Sequence, residues 1–190
     1  MSFVCSVNPY FTGGDIIFKH GTSNSTGVAI PIKKCNSNIK ILKKIVVQGR
    51  ASILEIECDS VNYCLVNIYA PNNYDVDFLI KLVFLKTLGR TCDDYVIMAG
   101  DWNTVLNNSL IKIGGAVANA SHNTQNLVNS MMCNYGLSDS FRLKRGNDKI
   151  FTHFNKQHGT ASSLYFFLID DNLIHFPVCS LYMIRNQSWL

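Results

Sequence analysis

The sequence predicts an α/β sandwich, and three features carry that prediction. First, "IKILKKIVVQ", "ASILEIEC" and "NYCLVNIYA" (39–48, 51–58 and 62–70) are β-rich and separated by short polar breaks such as Gln48-Gly49-Arg50, the spacing of an antiparallel meander. Second, Val76, Leu79, Ile80 and Val83 recur at helical intervals directly after this meander. Third, "YVIMAG" (95–100) is short and nearly all apolar, as a strand covered on both faces of a mixed sheet must be. Strands in two groups with helices between them make such a sandwich.

Each element follows from its local chemistry. Gly13-Gly14 and the glycines at 21 and 27 punctuate the start, leaving "DIIF" (15–18) and "GVAIPI" (27–32) as strands. "PNNYD" (71–75) is dense in turn formers, and Asp75 or Asp77 is placed to cap a helix running to about Leu88. A second helix is expected over 123–135, closed by Gly136. Further strands are expected at "IFTHF" (150–154) and "SLYFFLI" (163–169).

With 190 residues, 47% hydrophobic and 16% charged, the chain has the size of one domain, 1–190, and the composition of a globular rather than a disordered protein. Its formal net charge is +4, gathered in "KKCNSNIKILKK" (33–44) and "RLKR" (142–145). Such runs can attract phosphate backbones, but a modest basic run is more often just a solvated face. Seven cysteines, none in a C-x-x-C pair, read as reduced thiols of an intracellular protein, nuclear or cytoplasmic. "MSFVCSVNPYF" lacks the basic and apolar regions of a signal peptide, and the apolar tail at 164–184 is interrupted by Asp170, Asp171, His175 and Pro177, which argues against a membrane span. No obligate protein partner is evident.

The chemistry gathers at "GDWN" (100–103). On an extended chain Asp101 and Asn103 would project to one side from the carboxyl end of a buried strand, and Trp102 would pack on the other. Ligands of open α/β sheets bind beyond strand carboxyl ends. There a carboxylate can orient or deprotonate water, while an amide can donate to a phosphoryl oxygen. A D-x-N pair is also the pattern of an Asx turn that caps a strand end.

The surrounding pieces, "NIYAPNN" (67–73), "LSDSFR" (137–142), "FTHF" (151–154) and "SSLYFFLIDDNL" (162–173), with "GDIIFKHGTSNSTGVAIPIKK" (14–34) before them, stand in an informative order. Together with "GDWN" they resemble the endonuclease/exonuclease/phosphatase superfamily, most of all the apurinic/apyrimidinic endonuclease-like domain of LINE-type retrotransposons. The resemblance covers 14–173. It implies an α/β (α+β), DNase I-like four-layer sandwich of two mixed β-sheets flanked by helices, incomplete here, with Mg2+ assisting hydrolysis of a DNA phosphodiester.

By motif position, the resemblance implies Asp101 as the residue that activates water, Asn103 as the amide that holds the phosphate, and Tyr69 as the active-site phenol. Asn72, in the loop after Tyr69, and Arg142, in the family's D-x-W-R region with Phe141 replacing Trp, are implied as substrate-binding or structural residues rather than catalytic ones. His153 stands where an aromatic is usual and is not expected to be a metal ligand or a base. Three departures from the pattern lower the expected activity. The family's opening Asn and Gln-Glu segments, with the metal-binding glutamate, have no counterpart, and neither does its closing Ser-Asp-His. Ser163 and Tyr165 stand where an Arg and an Asp are usual. The expectation is therefore a domain cut at both ends, which does not hold Mg2+ stably and is impaired in hydrolysis. It would remain an endonuclease-like domain with weak or ancestral DNA contact, or become a non-catalytic nucleic-acid-binding remnant or a non-functional fragment.

Overall fold

A computed structural model describes residues 14–19, 28–33, 38–47, 50–81, 95–107, 112–113 and 119–174. Its centre is a six-stranded sheet in the order β3-β4-β5-β6-β11-β8. The expected meander is β3 (Ile39–Val47), β4 (Ala51–Cys58) and β5 (Val61–Tyr69), antiparallel throughout, with a bulge between Ile41 and Lys43 on the edge strand. β6 (Tyr95–Asp101) lies parallel to β5 and antiparallel to β11 (Tyr165–Asp170), so the sheet is mixed. β8 (Leu137–Asp139) closes the far edge.

Alternation along the strands builds two apolar faces. Ile53, Val66, Ile68, Met98 and Leu168 point to one side and pack on Phe78, Leu79, Val128 and Met131, all contributed by helices. Leu54, Ile56, Leu65, Ile97 and Phe167 point to the other and meet Ile30 of β2 (Val28–Lys33). That strand pairs with β1 (Gly14–Lys19) as a separate antiparallel hairpin. Asn67 of β5 holds the two layers together, its amide donating to the Ala29 carbonyl across 2.7 Å. A three-stranded antiparallel sheet, β7 (Lys112–Ile113), β10 (Thr160–Ser162) and β9 (His153–Asn155), completes the strands.

The helix after the meander begins where Asp75 caps it: its Oδ1 accepts from Phe78 N at 2.9 Å, and residues 76–81 are helical. Its expected end near Leu88 lies outside the described residues, as do Cys5, Cys35, Cys92, Cys179 and His175. Among the described residues Cys58, Cys64 and Cys133 are not joined in disulfides. Helix α1 (Asn119–Tyr135) starts four residues earlier than periodicity indicates and ends as expected at Gly136, which takes the left-handed φ of 57°. Gln125 ties α1 to the loop after β6 by donating to Leu106 O at 2.9 Å.

The sequence pattern did not reveal β7, β8, β10 or the short helix α2 (Ser140–Arg145). "RLKR" forms the last turn of α2, where positive side chains complement the helix dipole, so this run has a structural explanation. Among the described residues no helix is long and apolar enough to cross a membrane.

Candidate functional site

Asp101, Tyr69 and Tyr165 lie in one row across three strands. Asp101 is the register partner of Tyr69 on β5 and of Tyr165 on β11, at the carboxyl end of β6. Immediately before it Gly100 allows the close approach, because a side chain there would collide with the β5 backbone at Ile68. Immediately after it Trp102 is fully buried on the opposite face, as alternation predicts.

Asn103 does not continue that alternation. Its φ is +48°, the left-handed conformation that asparagine tolerates better than most residues, and the strand has ended before it. The expected projection of Asp101 and Asn103 from one extended chain is therefore corrected: they converge through a turn. Asp101 Oδ1 accepts from Asn103 N at 3.0 Å, an Asx turn. The Asn103 amide then reaches across to β5 and donates to Ala70 O at 2.7 Å, while Ala70 N donates to Asp101 O at 2.7 Å. The clasp joins the ends of β5 and β6 and holds Asp101, Asn103 and Tyr69 together.

Asp101 is half-buried. Removal from water raises its carboxyl above the ordinary 3.8, against the smaller opposing effects of the Asn103 N–H, the positive charge of His153 and a hydrogen bond from the Tyr165 side chain. Two of these partners were missed at the sequence level. Tyr165 is more than a missing aspartate, since its phenol engages the Asp101 carboxylate directly. His153 lies close enough for its charge to act on Asp101. Cross-strand register, which the sequence does not display, brings them there.

Because the folded carboxyl binds its proton more readily than the unfolded one, its contribution to stability is fully present below pH 3.8 and declines as pH rises through the folded value. Asp139, the N-cap of α2, is raised by burial in the same sense, outweighing its bonds from Arg142 N and Phe141 N and the Arg142 charge. Asp101→Asn removes the first contribution and keeps an acceptor for Asn103 N. It is expected to melt above the parent at pH 7, where the parent carboxyl must be charged against burial. Thermal melts at several pH values should show this margin shrinking toward pH 4; a margin that grows in acid would contradict the assigned shift.

Beside Tyr69 opens a cleft of about 620 Å³ lined by Arg50, Asn72, Asn73, Tyr74 and Asp75, among others. The Arg50 guanidinium sits 5.4 Å from the Tyr69 ring centroid, a cation–π contact that orients the phenol, and Arg50 O accepts from Tyr69 N at 2.7 Å. Asn72 is exposed in this cleft. Arg142 is not brought to it: one guanidinium nitrogen donates to Gly146 O and Asp148 O at 2.8 and 2.7 Å, and the group stacks over Phe141 at 4.8 Å. Those bonds close the loop after α2.

Neither a protein-family model nor a curated protein matches the sequence. Solved structures do. The endonuclease domain of TRAS1, a telomere-specific non-LTR retrotransposon, superposes with a TM-score of 0.62 at 13% identity over 86% of this chain and 68% of that one. The catalytic domain of Xenopus laevis APE2 gives 0.62 at 17% identity over 85% and 68%. An AP endonuclease from Archaeoglobus fulgidus gives 0.59 at 13% over 85% and 68%. The chain has the fold of the endonuclease/exonuclease/phosphatase superfamily. At these identities the likeness concerns the fold, and the chemistry rests on the residues just described.

Nucleases of this fold are generally metal-dependent, so the donor set at Asp101 matters. Among the described residues no three His, Cys, Asp or Glu side chains converge on a common point. The Asp101 carboxylate already accepts from a backbone N–H and a phenol, and burial disfavours its charge. A hard cation such as Mg2+ needs ionised oxygens free to coordinate. Among the described residues, the donors around Asp101 do not fit it.

Proposed function

We propose that this chain is an endonuclease-like, phosphodiester-recognising domain of the LINE retrotransposon type, with its ancestral metal-dependent hydrolysis of DNA impaired. The observation that carries the reading is the clasp at the ends of β5 and β6, which holds Asp101, Asn103 and Tyr69 at one junction. In this reading the second Asn103 N–H donates to a non-bridging phosphate oxygen, the Tyr69 phenol lies alongside, and Asn72 meets the neighbouring strand in the cleft. Asp101 orients a water, but only weakly, because its carboxylate oxygens are already engaged by Tyr165 and Asn103 N.

That engagement of Asp101 favours a second reading, in which the domain binds nucleic acid without cutting it. One experiment separates them. Supercoiled plasmid is incubated with the full chain and Mg2+, and nicking and retention on the protein are both followed, with Asp101→Ala in parallel. Residual hydrolysis predicts slow nicking that falls by about 10²-fold or more in the variant. Retention without nicking, equal in both proteins, establishes the binding reading. Neither nicking nor retention would overturn both.

A further inference from the structure

A phosphodiester lying against Asp101 meets a carboxylate, and without a counter-charge the two anions repel. Among the described residues, the group whose positive charge reaches Asp101 is His153. Its position is fixed by backbone bonds rather than by chance. Thr152, directly before it, donates N–H to Ser162 O at 3.0 Å, and its hydroxyl accepts from Leu164 N and Tyr165 N at 2.9 and 3.1 Å. Leu164 O in turn accepts from Trp102 N at 2.9 Å, one residue from Asp101. The start of β9 is thereby stitched to the start of β11 and to the end of β6. His153 pairs with Ser162 and is exposed, and its imidazole makes no hydrogen bond with the described residues.

We propose that His153 is a phosphate-contacting residue, its imidazolium neutralising a phosphodiester that lies against Asp101 and Asn103. This rests on the phosphodiester reading above and deepens it by assigning a cation to the site. An imidazolium donates a charge-assisted hydrogen bond to a phosphate oxygen, and at the surface a ligand can reach it directly. The same side chain in a merely solvated role would be indifferent to any phosphodiester.

The test uses the full chain at pH 6 and the dinucleotide thymidylyl-3′,5′-thymidine as probe. Side-chain NMR should show the probe shifting both the His153 imidazole and the Asn103 amide. His153→Gln should weaken binding about 10-fold. His153→Lys should restore most of that affinity, and His158→Gln, at the exposed tip of the same hairpin, should change nothing. If the probe shifts Asn103 while His153→Gln binds like the parent, the inference is overturned and the phosphodiester reading stands. If His153→Lys binds as weakly as His153→Gln, the charge argument is overturned. If neither Asn103 nor His153 responds, the phosphodiester reading fails and this inference with it.

Discussion

Gly100→Ala is expected to lower the melting temperature by roughly 6–12 °C, the scale of ~3 kcal/mol in a chain of this size, or to leave the protein insoluble. Gly100 has a φ of +147°, a conformation that residues with a side chain rarely adopt. It is paired with Ile68 on one side and Phe166 on the other, so the backbone is held between two strands. A Cβ built there would stand 1.9 Å from Ile68 O and 2.7 Å from Ile68 C. Backbone atoms of a central strand cannot swing aside as the end of a side chain can. The strands must separate, and the next residues along, Asp101 and Tyr69, are the register pair of the candidate site. The variant should therefore lose the Asn103 to Ala70 clasp together with stability. Thermal melting followed by circular dichroism reads the first effect, and the Asn103 side-chain amide resonance reads the second. A Gly100→Ala protein that melts with the parent would show that β5 and β6 do not pair as described.

The same glycine marks how far the sequence could be read. An apolar run that ends in Gly and then offers Asp is legible as a buried strand with a polar mouth, and the burial of Val96, Met98 and Trp102 agrees. The meander was legible because period-two alternation is a local property. The cap of the first helix was legible because Asp75 stands three residues before Phe78, which it caps. The short elements were not. β8 and β10 are three residues each, too short to show a period, and they exist because a neighbouring strand offers them partners.

The candidate site divides in the same way. Tyr69, Asp101 and Asn103 stand out as candidates because each lies in a contiguous motif. Tyr165 and His153 were undervalued because each was judged by the residue it replaces. Their contribution comes from register: Tyr165 faces Asp101 across the sheet, and Thr152 fastens the start of β9 beside it. Arg50 was read only as part of a turn, and its stacking on Tyr69 depends on the closing of that turn against β5. The position of Asn103 was predicted for the wrong reason. Strand alternation put it beside Asp101, whereas a left-handed turn does so in the structure.

Trp102→Ala should be the more severe of two substitutions at the residue between Asp101 and Asn103, costing about 3–5 kcal/mol, or roughly 6–20 °C in melting temperature. Trp102 has no exposed surface and belongs to the helix-facing core. Its ring stacks on Phe166 with centroids 5.1 Å apart and planes 5° from parallel, and Nε1 donates to Phe166 O at 3.3 Å. Truncation leaves a cavity beneath the site and removes the anchor that keeps the turn at Asn103 in place. Trp102→Phe separates the contributions, since it keeps a stacked ring and most of the volume and loses the indole N–H. It is expected to cost about 1–2 kcal/mol. Binding of a short oligonucleotide should follow the same order, nearly kept in the phenylalanine variant and weakened in the alanine one, because the clasp to Ala70 depends on packing below it rather than on the indole itself. Equal losses in the two variants would assign the role to the Nε1 bond, and no loss in either would mean that the turn holds Asp101 and Asn103 without support from the core.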